Sequence, residues 1–431
     1  MIATAERLQL TPTRTPLITH YPSFRKWTKG ALDDKLTQAP MCIYVHIPFC
    51  TQRCSFCYYK TVDLKEYRPE VETYVDHLCQ EIDRATERFQ LGDRPIKAVY
   101  FGGGTPSLLV ESQMTKIVEA LRRNFKHFDG KDQFSFEAEP LTISRSKMET
   151  LKGLGVTRLS MGMQSFVDDI IKLSGRGHDE KQAYRAIEIA QEVGAGQWNI
   201  NIDLLSGLAG ETPETWHQSV TRAIATGVES ITVYKMEAFA NTEVFDQGVR
   251  KEEIALPNEE QEMAFMAHAM EELEAANYLP WSFFTYTKNG CDESQYISSI
   301  WRGMDFYGFG VSAFGSMGNH LIQNTSDMDK YPATIAAGDL PLSRGYRFTT
   351  WDQMVREVLM GVKLLSFDLK GFKERHGLKL QVLCGSQMAA LEAEGFIKVT
   401  DREMTLTNKG ILYGDYVGQL LSDTIKNFAK G

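Results

Sequence analysis

Short runs of β-forming residues alternate with amphipathic stretches from about residue 42 to residue 235. The amphipathic stretches carry apolar residues at the spacing of one helix face. Six such alternations predict parallel strands joined by crossover helices, in an α/β fold built as a partial (β/α)6 TIM-like barrel. The carboxyl ends of its strands would meet at one face, where functional side chains can converge. The predicted strands are residues 41–47, 96–101, 133–139, 157–163, 198–205 and 230–236, and the predicted helices are 64–90, 112–125, 180–194 and 214–226.

This alternation stops after residue 236. A strong helix is predicted at residues 258–276. Within the glycine-spaced stretch DFYGFGVSAFGS (305–316), we expect the run 308–315 to close the pocket, with a glycine-rich β-turn as the alternative. From about residue 350 the pattern predicts a small helical domain with a β-hairpin at 395–410, which is typical of a winged-helix shape. Its charges almost balance, so we interpret it as a cover or interaction module and not as a DNA reader. The expected domains are an N-terminal extension (1–41), a partial barrel (42–240), a barrel extension and active-site cover (241–349) and the C-terminal domain (350–431).

Composition narrows the possible partners of this 431-residue chain. A net charge of −9 argues against nucleic acid as the main partner. No apolar run reaches the roughly 18 residues that a membrane span needs, so no membrane partner is expected. The N-terminus lacks the apolar core of a secretory signal, although an organelle transit peptide stays open because residues 1–32 contain a single acidic residue, Glu6. Seven cysteines, an odd number of which four are scattered, favour a reducing cytoplasm over a disulfide framework.

The stretch PFCTQRCSFCYYK (48–60) places Cys50, Cys54 and Cys57 within eight residues. Thiolates at this C-x3-C-x2-C spacing can bind one metal centre from a single loop. A structural zinc site normally takes four protein ligands, and a disulfide would leave one cysteine over. A [4Fe–4S] cluster normally has four cysteine ligands, so three would leave one iron open for a substrate or cofactor. The spacing favours the iron–sulfur cluster, while zinc and coincidence stay open.

In its wider setting this segment resembles the signature of radical S-adenosylmethionine (SAM) enzymes, in the HemN-like branch typified by oxygen-independent coproporphyrinogen dehydrogenase. The resemblance implies a radical SAM barrel with a HemN-type C-terminal domain, a [4Fe–4S] cluster on Cys50, Cys54 and Cys57, and SAM at the open iron. In this family one electron from the cluster splits SAM, and the resulting radical abstracts a hydrogen atom. The motifs that carry the resemblance are YVHIPFCTQRCSFC (44–57), YFGGGTPSLL (100–109), FEAEP (136–140), RLSMGMQSF (158–166), the Arg176 segment, NIDLLSGLAGET (201–212) and GFGVSAFG (308–315).

The motif GGGTP (102–106) follows a predicted strand. It is not a P-loop, because no GK[ST] sequence follows. Glycines allow the backbone to approach a ligand closely at a strand end. A plain tight turn is the alternative interpretation. The resemblance implies that the residues bordering the SAM amino group are Gly102, Gly103, Gly104 and Thr105.

Four further polar residues are candidate SAM contacts. Glu137 and Asp203 lie late in runs otherwise rich in apolar residues, where a carboxylate needs a partner. The resemblance implies SAM contacts for both, and a structural ion pair is the alternative. Gln164 can donate and accept hydrogen bonds, which suits the ribose, and Arg176 offers a planar fork for the SAM carboxylate. Either could instead be an ordinary surface or capping residue.

The two residues after the third cysteine differ among the branches of the family that this chain resembles. The dehydrogenase has a further cysteine where this chain has Tyr59, and the haem-chaperone branch tends to have aspartate where it has Tyr58. The form CSFCYYK is more similar to class C radical SAM methyltransferases and cyclopropanases. That resemblance implies two SAM molecules and radical C1 transfer to an sp2 carbon of a small-molecule or carrier-bound substrate. A one-electron reductant such as flavodoxin or ferredoxin is the implied partner.

Residues near the cysteine loop and at the end of the sixth predicted strand are expected to take part in catalysis or to bind SAM. Tyr44 alternates with the apolar positions of its strand and should point towards the cysteine loop as a catalytic and cofactor-binding side chain, and Phe56 should shield the cluster. Lys235 and Glu237 are proposed to bind the second SAM or to shuttle a proton, although solvent-facing charges at a strand end would look the same. The second SAM would lie near Gly104, Thr105 and the residues Tyr234, Lys235, Met236 and Glu237.

Two other functions stay open on the sequence. One is anaerobic porphyrin or haem chemistry, by dehydrogenation or ring opening. The other is haem carriage by a chain that keeps the fold and cluster without turnover. Nothing in the sequence names the substrate.

Overall fold

The computed structural model describes residues 9–29, 38–67, 70–290 and 293–429. Cys291, one of the scattered cysteines, lies outside the described residues. The strands are β1 (Met41–Ile47), β2 (Phe49–Cys50), β3 (Val62–Asp63), β4 (Ile96–Gly103), β5 (Gln133–Ala138), β6 (Arg158–Gln164), β7 (Asn199–Ser206), β8 (Ser230–Lys235), β9 (Tyr278–Pro280), β10 (Thr285–Lys288), β11 (Asp305–Phe309), β12 (Phe314–Met317), β13 (His320–Asn324), β14 (Leu342–Arg347), β15 (Ser366–Asp368), β16 (Ile397–Val399) and β17 (Glu403–Leu406).

The helices alternate with the strands in the first half of the chain and dominate its last part. They are α1 (Leu64–Tyr67), α2 (Val71–Phe89), α3 (Glu111–Asn124), α4 (Arg145–Gly153), α5 (Asp168–Leu173), α6 (Glu180–Gly194), α7 (Pro213–Ala225), α8 (Glu259–Ala275), α9 (Gln295–Trp301), α10 (Lys330–Ala336), α11 (Thr350–Gly361), α12 (Leu369–His376), α13 (Leu380–Ala393), α14 (Asn408–Leu412) and α15 (Gly414–Phe428). None of these described helices combines the length and the apolar character that crossing a bilayer requires.

The partial barrel is confirmed by the strand order. Strands β1, β4, β5, β6, β7 and β8 are neighbours in that order and run parallel, each followed by a helix. This is the order that short right-handed β–α–β connections produce. Strand β11 adds a further parallel strand beside β1, and antiparallel strands extend both edges of the sheet.

The two faces of the barrel strands differ in polarity. In β1, Ile43, Val45 and Ile47 belong to the main apolar core with the outer helices. Tyr44 and His46 alternate with them and face the barrel interior, where the Tyr44 hydroxyl and His46 Nδ1 are 3.1 Å apart. Because side chains alternate along a strand, the outer face packs on helices while the inner face carries polar groups.

The glycine-spaced stretch 305–316 forms β11 and most of β12 at the edge of the barrel, and closure of the pocket by residues 308–315 stays a prediction. At Gly310, φ is +101° and a Cβ would lie 2.7 Å from the His46 carbonyl oxygen. The Gly310 amide donates to the buried carboxylate of Glu81 at 2.9 Å. This glycine therefore serves strand–helix packing in the structure.

The C-terminal domain has the expected winged-helix-like form. Its small antiparallel sheet has the order β15–β17–β16, and α11, α12, α13 and α15 enclose a second apolar core. The predicted hairpin corresponds to β16 and β17. Of the N-terminal extension, residues 9–29 lie against both parts: the Arg14 guanidinium pairs with Glu237 at the end of the barrel, and the Tyr21 hydroxyl donates to Asp352 of α11. The four domain boundaries remain predictions.

Glu81 of α2 is expected to make stability depend on pH. The side chain is fully buried and accepts hydrogen bonds from the Tyr331 hydroxyl at 2.6 Å and the Asn324 amide at 2.7 Å. Burial raises the pKa of Glu81 from 4.5 to about 7. Between these values the folded chain keeps a proton that the unfolded chain releases, so the free energy of unfolding falls as pH rises through this window, by on the order of 3 kcal/mol.

Glu81→Gln should remove this part of the pH dependence. We expect the apparent Tm of the apoprotein, followed by circular dichroism, to fall less between about pH 5 and about pH 7 in the variant than in the wild type. Glu149→Gln, at an exposed position of α4, is the control and should keep the wild-type slope. Equal slopes for wild type and Glu81→Gln would contradict this role of Glu81.

Candidate functional site

The three cysteines lie in a loop at the carboxyl end of β1. Cys50 ends the short strand β2, which pairs with β3, and Cys54 and Cys57 are joined by a hydrogen bond from the Cys57 amide to the Cys54 carbonyl at 3.1 Å. On one side the Ser55 amide donates to the Ser174 carbonyl at 3.0 Å, and on the other the Val244 amide donates to the Ser55 carbonyl at 3.0 Å. Two segments distant in sequence therefore hold the loop in place.

Two arginines place positive charge next to the loop. The Arg176 guanidinium donates to Cys54 Sγ at 3.7 Å and also to the carbonyl of Gly162. Arg53 donates to the Cys57 carbonyl at 3.1 Å and to the Asn241 carbonyl at 3.0 Å. Burial raises the pKa of the Cys50 thiol to about 11, so a bound metal has to displace its proton. Cationic groups at this position favour the thiolate form of the ligands.

The distances between the cysteine sulfurs indicate whether a single zinc ion could bind to all three without movement of the loop. Among the described residues, a single group of three metal-binding side chains has all its donor atoms within 4.8 Å of one another, and it does not include the cysteines. One zinc ion with bonds of about 2.3 Å would hold its sulfur ligands about 3.8 Å apart. At least one pair of the three sulfurs therefore lies farther apart than two ligands of a single zinc ion would.

The glycine motif closes tightly on the cysteine loop. A Cβ at Gly104 would lie 2.6 Å from the Phe49 carbonyl oxygen, and one at Gly103, where φ is +118°, would lie 2.9 Å from the Ile47 carbonyl oxygen. The Thr105 hydroxyl reaches Cys50 Sγ at 3.6 Å. Gly102 faces Glu137, whose carboxyl atoms would be 3.0 Å from a Cβ at this position. The motif therefore packs directly on the strand end that carries Cys50, and its contact with SAM stays a prediction.

Glu137 and Asp203 both face the barrel interior. Glu137 accepts hydrogen bonds from the Tyr100 hydroxyl at 2.6 Å and the Gly103 amide at 3.2 Å, and burial raises its pKa to about 7. Asp203 accepts from the Asn201 amide at 2.8 Å, and burial raises its pKa as well. Two nearby carboxyl groups in a buried site need a cationic or hydrogen-bonding partner.

Several further inward-facing groups accompany these carboxyl groups and were not predicted from the sequence. Arg158 is buried at the start of β6, its charge lowers the pKa of both Glu137 and Asp203, and its Nε has no hydrogen-bond partner among the described residues. Asn201 is bonded to Ser160, Ser230 and Thr232 across three strands. A period-two polar pattern could have identified them, since Arg158, Ser160, Gly162 and Gln164 alternate with apolar residues along β6.

The remaining predicted first-SAM residues lie near one another at the barrel mouth. Gln164 has φ of +68°, and a Cβ at Gly162 would be 2.7 Å from its Nε2 and 3.5 Å from Arg176 Nη2. Gln164 and Arg176 therefore border the same space. The buried Nε of Arg176 also lacks a partner among the described residues, so this guanidinium retains a free donor.

The side chains of the four strand-end residues proposed for the second SAM lie in different parts of the structure. Tyr234 faces the interior near Asp203, and Met236 packs with the half-buried Phe56 of the cysteine loop in one apolar cluster. Lys235 alternates with Tyr234 and lies beside Asp415 of the C-terminal domain, while Glu237 binds Arg14 at 3.0 Å and accepts from the Leu17 amide. The structure thus brings Tyr234 and Met236 towards the site and places Lys235 and Glu237 against other parts of the chain.

Tyr44 lies deep in the barrel. Its ring is 6.1 Å from that of Tyr100 and 6.2 Å from that of Tyr296, which belongs to α9. Its hydroxyl is bonded to His46, so the side chain lies beneath the glycine motif, with Gly103 packed on the His46 ring. The predicted catalytic role of Tyr44 stays a prediction.

The three clustered cysteines have two guanidinium groups and a closely packed glycine motif beside them. Such a set is typical of an iron–sulfur protein that binds a small ligand at its cluster. Comparison with known proteins then identifies the family. Residues 44–223 match the family model of the radical SAM superfamily, and residues 348–413 match the model of the HemN C-terminal domain. The chain belongs to the HemN-like branch of the radical SAM superfamily, for which a [4Fe–4S] cluster and SAM are the implied cofactors.

Curated relatives and one solved structure match almost the whole chain. The heme chaperone HemW of Bacillus subtilis is 31% identical over 375 residues, which are 87% of this chain and 97% of that protein. The oxygen-independent coproporphyrinogen III oxidase of Salmonella typhimurium is 26% identical over 421 residues, covering 92% and 90% of the two chains. The structure of coproporphyrinogen III oxidase (HemN) from Escherichia coli matches with a TM-score of 0.79 at 23% identity, covering 95% of this chain and 97% of that one.

These relatives overturn one prediction of the sequence analysis. The assignment to class C methyltransferases or cyclopropanases is wrong, because the curated relatives are heme chaperones and coproporphyrinogen oxidases. The assignment depended on two positions, Tyr58 and Tyr59. In the structure their rings stack with centroids 4.3 Å apart beside the cysteine loop, and the Tyr58 hydroxyl donates to the Tyr59 hydroxyl at 3.0 Å.

Proposed function

We propose that this protein is a radical SAM enzyme whose substrate is a tetrapyrrole, either a porphyrinogen or haem. The observation that carries the proposal is that three cysteines, Arg176 and the glycine motif lie together. The relatives of this chain are heme chaperones and coproporphyrinogen III oxidases. When bound, the cluster supplies the electron that splits SAM. We propose a small reductant protein such as flavodoxin or ferredoxin as its source, and the cytoplasm as the compartment, since the described cysteines are free thiols.

The chain's own residues would bind and orient the cofactor. Arg176 has an unpartnered Nε and an orientation towards Cys54 that suits a carboxylate at the cluster. Glu137 and Asp203 offer acceptors for ribose hydroxyls from the barrel interior. Gly103 and Gly104 pack closely on the strand end that carries Cys50, so their backbone lies next to the proposed cluster. A second SAM near Gly104 and Thr105 remains a prediction, and equilibrium dialysis of the cluster-loaded protein against labelled SAM would measure the stoichiometry.

An aromatic surface beside the cysteine loop supports a flat substrate. Tyr58 stacks on Tyr59 and lies 4.4 Å from the ring of Phe239, and Tyr59 and Phe239 are 53% and 37% exposed. Exposed aromatic side chains in contact with one another are uncommon on a protein surface that binds nothing. Rings of this kind can pack on the conjugated face of a tetrapyrrole.

A second candidate is haem carriage without turnover, which the 31% identity to HemW favours. The carrier and the enzyme differ in whether a tetrapyrrole increases the cleavage of SAM. A carrier would bind haem in a defined ratio, and haem would not increase SAM cleavage. An enzyme would release 5′-deoxyadenosine in proportion to altered tetrapyrrole.

The deciding experiment measures 5′-deoxyadenosine and tetrapyrrole products together by mass spectrometry. The cluster-loaded protein would be incubated anaerobically with SAM and dithionite, and with coproporphyrinogen III, haem or neither. We expect one tetrapyrrole to increase 5′-deoxyadenosine release at least about tenfold and to be altered in mass. Stoichiometric haem binding without that increase would establish the carrier, and no binding or stimulation by either compound would overturn the tetrapyrrole proposal.

A further inference from the structure

Helices α7 and α8 bring two histidines and a glutamate together on the outer layer of the barrel. His217 lies on α7, and His268 and Glu272 lie one turn apart on α8. Nδ1 of His217 and Nε2 of His268 are 3.1 Å apart, and the donor atoms of all three side chains lie within 4.8 Å of one another. His217 is exposed and the other two are half-buried, so the group is open to solvent.

Packing between the helices fixes this arrangement. Trp216, the neighbour of His217, is fully buried, and its indole nitrogen donates to the Phe265 carbonyl of α8 at 2.8 Å. The Trp216 and Phe265 rings are 6.2 Å apart. His268 follows Phe265 by three residues, so it lies on the same side of α8. The backbone positions of the two histidines therefore depend on a buried contact and not on their own side chains.

We propose that His217, His268 and Glu272 form a binding site for a divalent transition metal ion such as Zn²⁺. Two imidazoles and one carboxylate are a ligand set that zinc accepts, with a fourth position left for water. Zinc–nitrogen bonds of about 2.0–2.1 Å in tetrahedral geometry hold two nitrogens about 3.3–3.4 Å apart, close to the separation seen here. The i, i+4 spacing of His268 and Glu272 lets both side chains reach one ion from a single helix face.

The alternative for this group is a simple hydrogen bond between two neutral imidazoles. One nitrogen would then donate to the other, and Glu272 would be a solvated acid. Bound zinc would replace the shared proton with a bond from each nitrogen. The ion would also join α7 to α8 and should stabilise that part of the barrel's outer layer, because a ligand that binds the folded state alone raises stability.

Zinc binding must be tested on protein whose cysteine site is already filled. Untagged, cluster-loaded protein would be dialysed anaerobically against zinc at increasing concentration, and iron, sulfide and zinc contents would be measured before and after. We expect one zinc per chain with no loss of iron. Zinc X-ray absorption should give nitrogen and oxygen ligands at about 2.0–2.1 Å and no sulfur at about 2.3 Å.

Substitutions at the three proposed side chains test which of them bind the zinc ion. His217→Ala and His268→Ala should each weaken zinc binding at least about tenfold, and Glu272→Gln should weaken it by a smaller factor. His127→Ala, which removes an exposed histidine elsewhere on the barrel, should bind zinc as the wild type does. Zinc should also raise the apparent Tm of the wild type but not of His217→Ala. Absence of saturable binding, sulfur ligation, or wild-type zinc affinity in both histidine variants would overturn the proposal.

Discussion

Cys54→Ala is expected to abolish reductive SAM cleavage. Cys54 lies between the other two cysteines and its sulfur is the one that contacts Arg176. With two ligands left, a [4Fe–4S] cluster loses its anchoring, and the electron that splits SAM has no source. Anaerobic reconstitution should give less than half the wild-type iron and sulfide, and 5′-deoxyadenosine should fall to the level measured without protein.

Cys79→Ala is the matched control for this variant. Cys79 lies on α2, half-buried, with its sulfur 3.8 Å from the Lys116 carbonyl, and it belongs to no part of the site. We expect it to keep wild-type iron content and SAM cleavage. Retention of SAM cleavage by Cys54→Ala would refute the assignment of Cys50, Cys54 and Cys57 as the cluster ligands.

Gly104→Ala should have the second largest effect. Its Cβ would meet the Phe49 carbonyl oxygen at 2.6 Å and the Pro48 carbonyl oxygen at 2.9 Å, and backbone atoms cannot rotate away. The strand end that carries Cys50 must therefore shift, at a cost on the order of 1–3 kcal/mol. We expect a lower apparent Tm, reduced cluster content, and weaker SAM binding by the cluster that does form.

Gly153→Ala is the control that distinguishes the steric clash at Gly104 from the general effect of replacing a glycine by alanine. Gly153 ends α4, and a Cβ there would meet no atom within 4 Å, so this variant should be at least as stable as the wild type. SAM binding measured per cluster distinguishes a site effect from general instability. Wild-type cluster content and SAM affinity in Gly104→Ala would contradict the close packing of this motif on the cysteine loop.

Much of the fold could be predicted because its signals are local. The alternation of apolar runs and amphipathic stretches located β1, β4, β5, β6, β7 and β8 within a few residues, since burial on both strand and helix faces leaves a periodic pattern. Strand β11 was not placed in the barrel. The glycines in and after this strand look like a turn in the sequence. They are accounted for by the close approach of Gly308 to Phe314 of β12 and of Gly310 to β1 and α2.

The function was less predictable than the fold. The methyltransferase assignment depended on Tyr58 and Tyr59, whose aromatic character can serve substrate contact in several reactions. Lys235 and Glu237 looked equivalent to Tyr234 and Met236 because all four follow one another at a strand end. Alternation along the strand sends Lys235 away from Tyr234, and the N-terminal segment engages Glu237 through Arg14.

The sequence by itself determined the cysteine spacing, the glycine motif and the period of the barrel strands, because each of these properties involves residues close together along the chain. Tertiary structure decided which polar groups share the barrel interior. Arg158 reaches Glu137 and Asp203 only through strand pairing, and His217 reaches His268 only through the packing of Trp216 on α8. Such contacts join residues far apart in sequence, and their geometry depends on side-chain burial that no local pattern encodes.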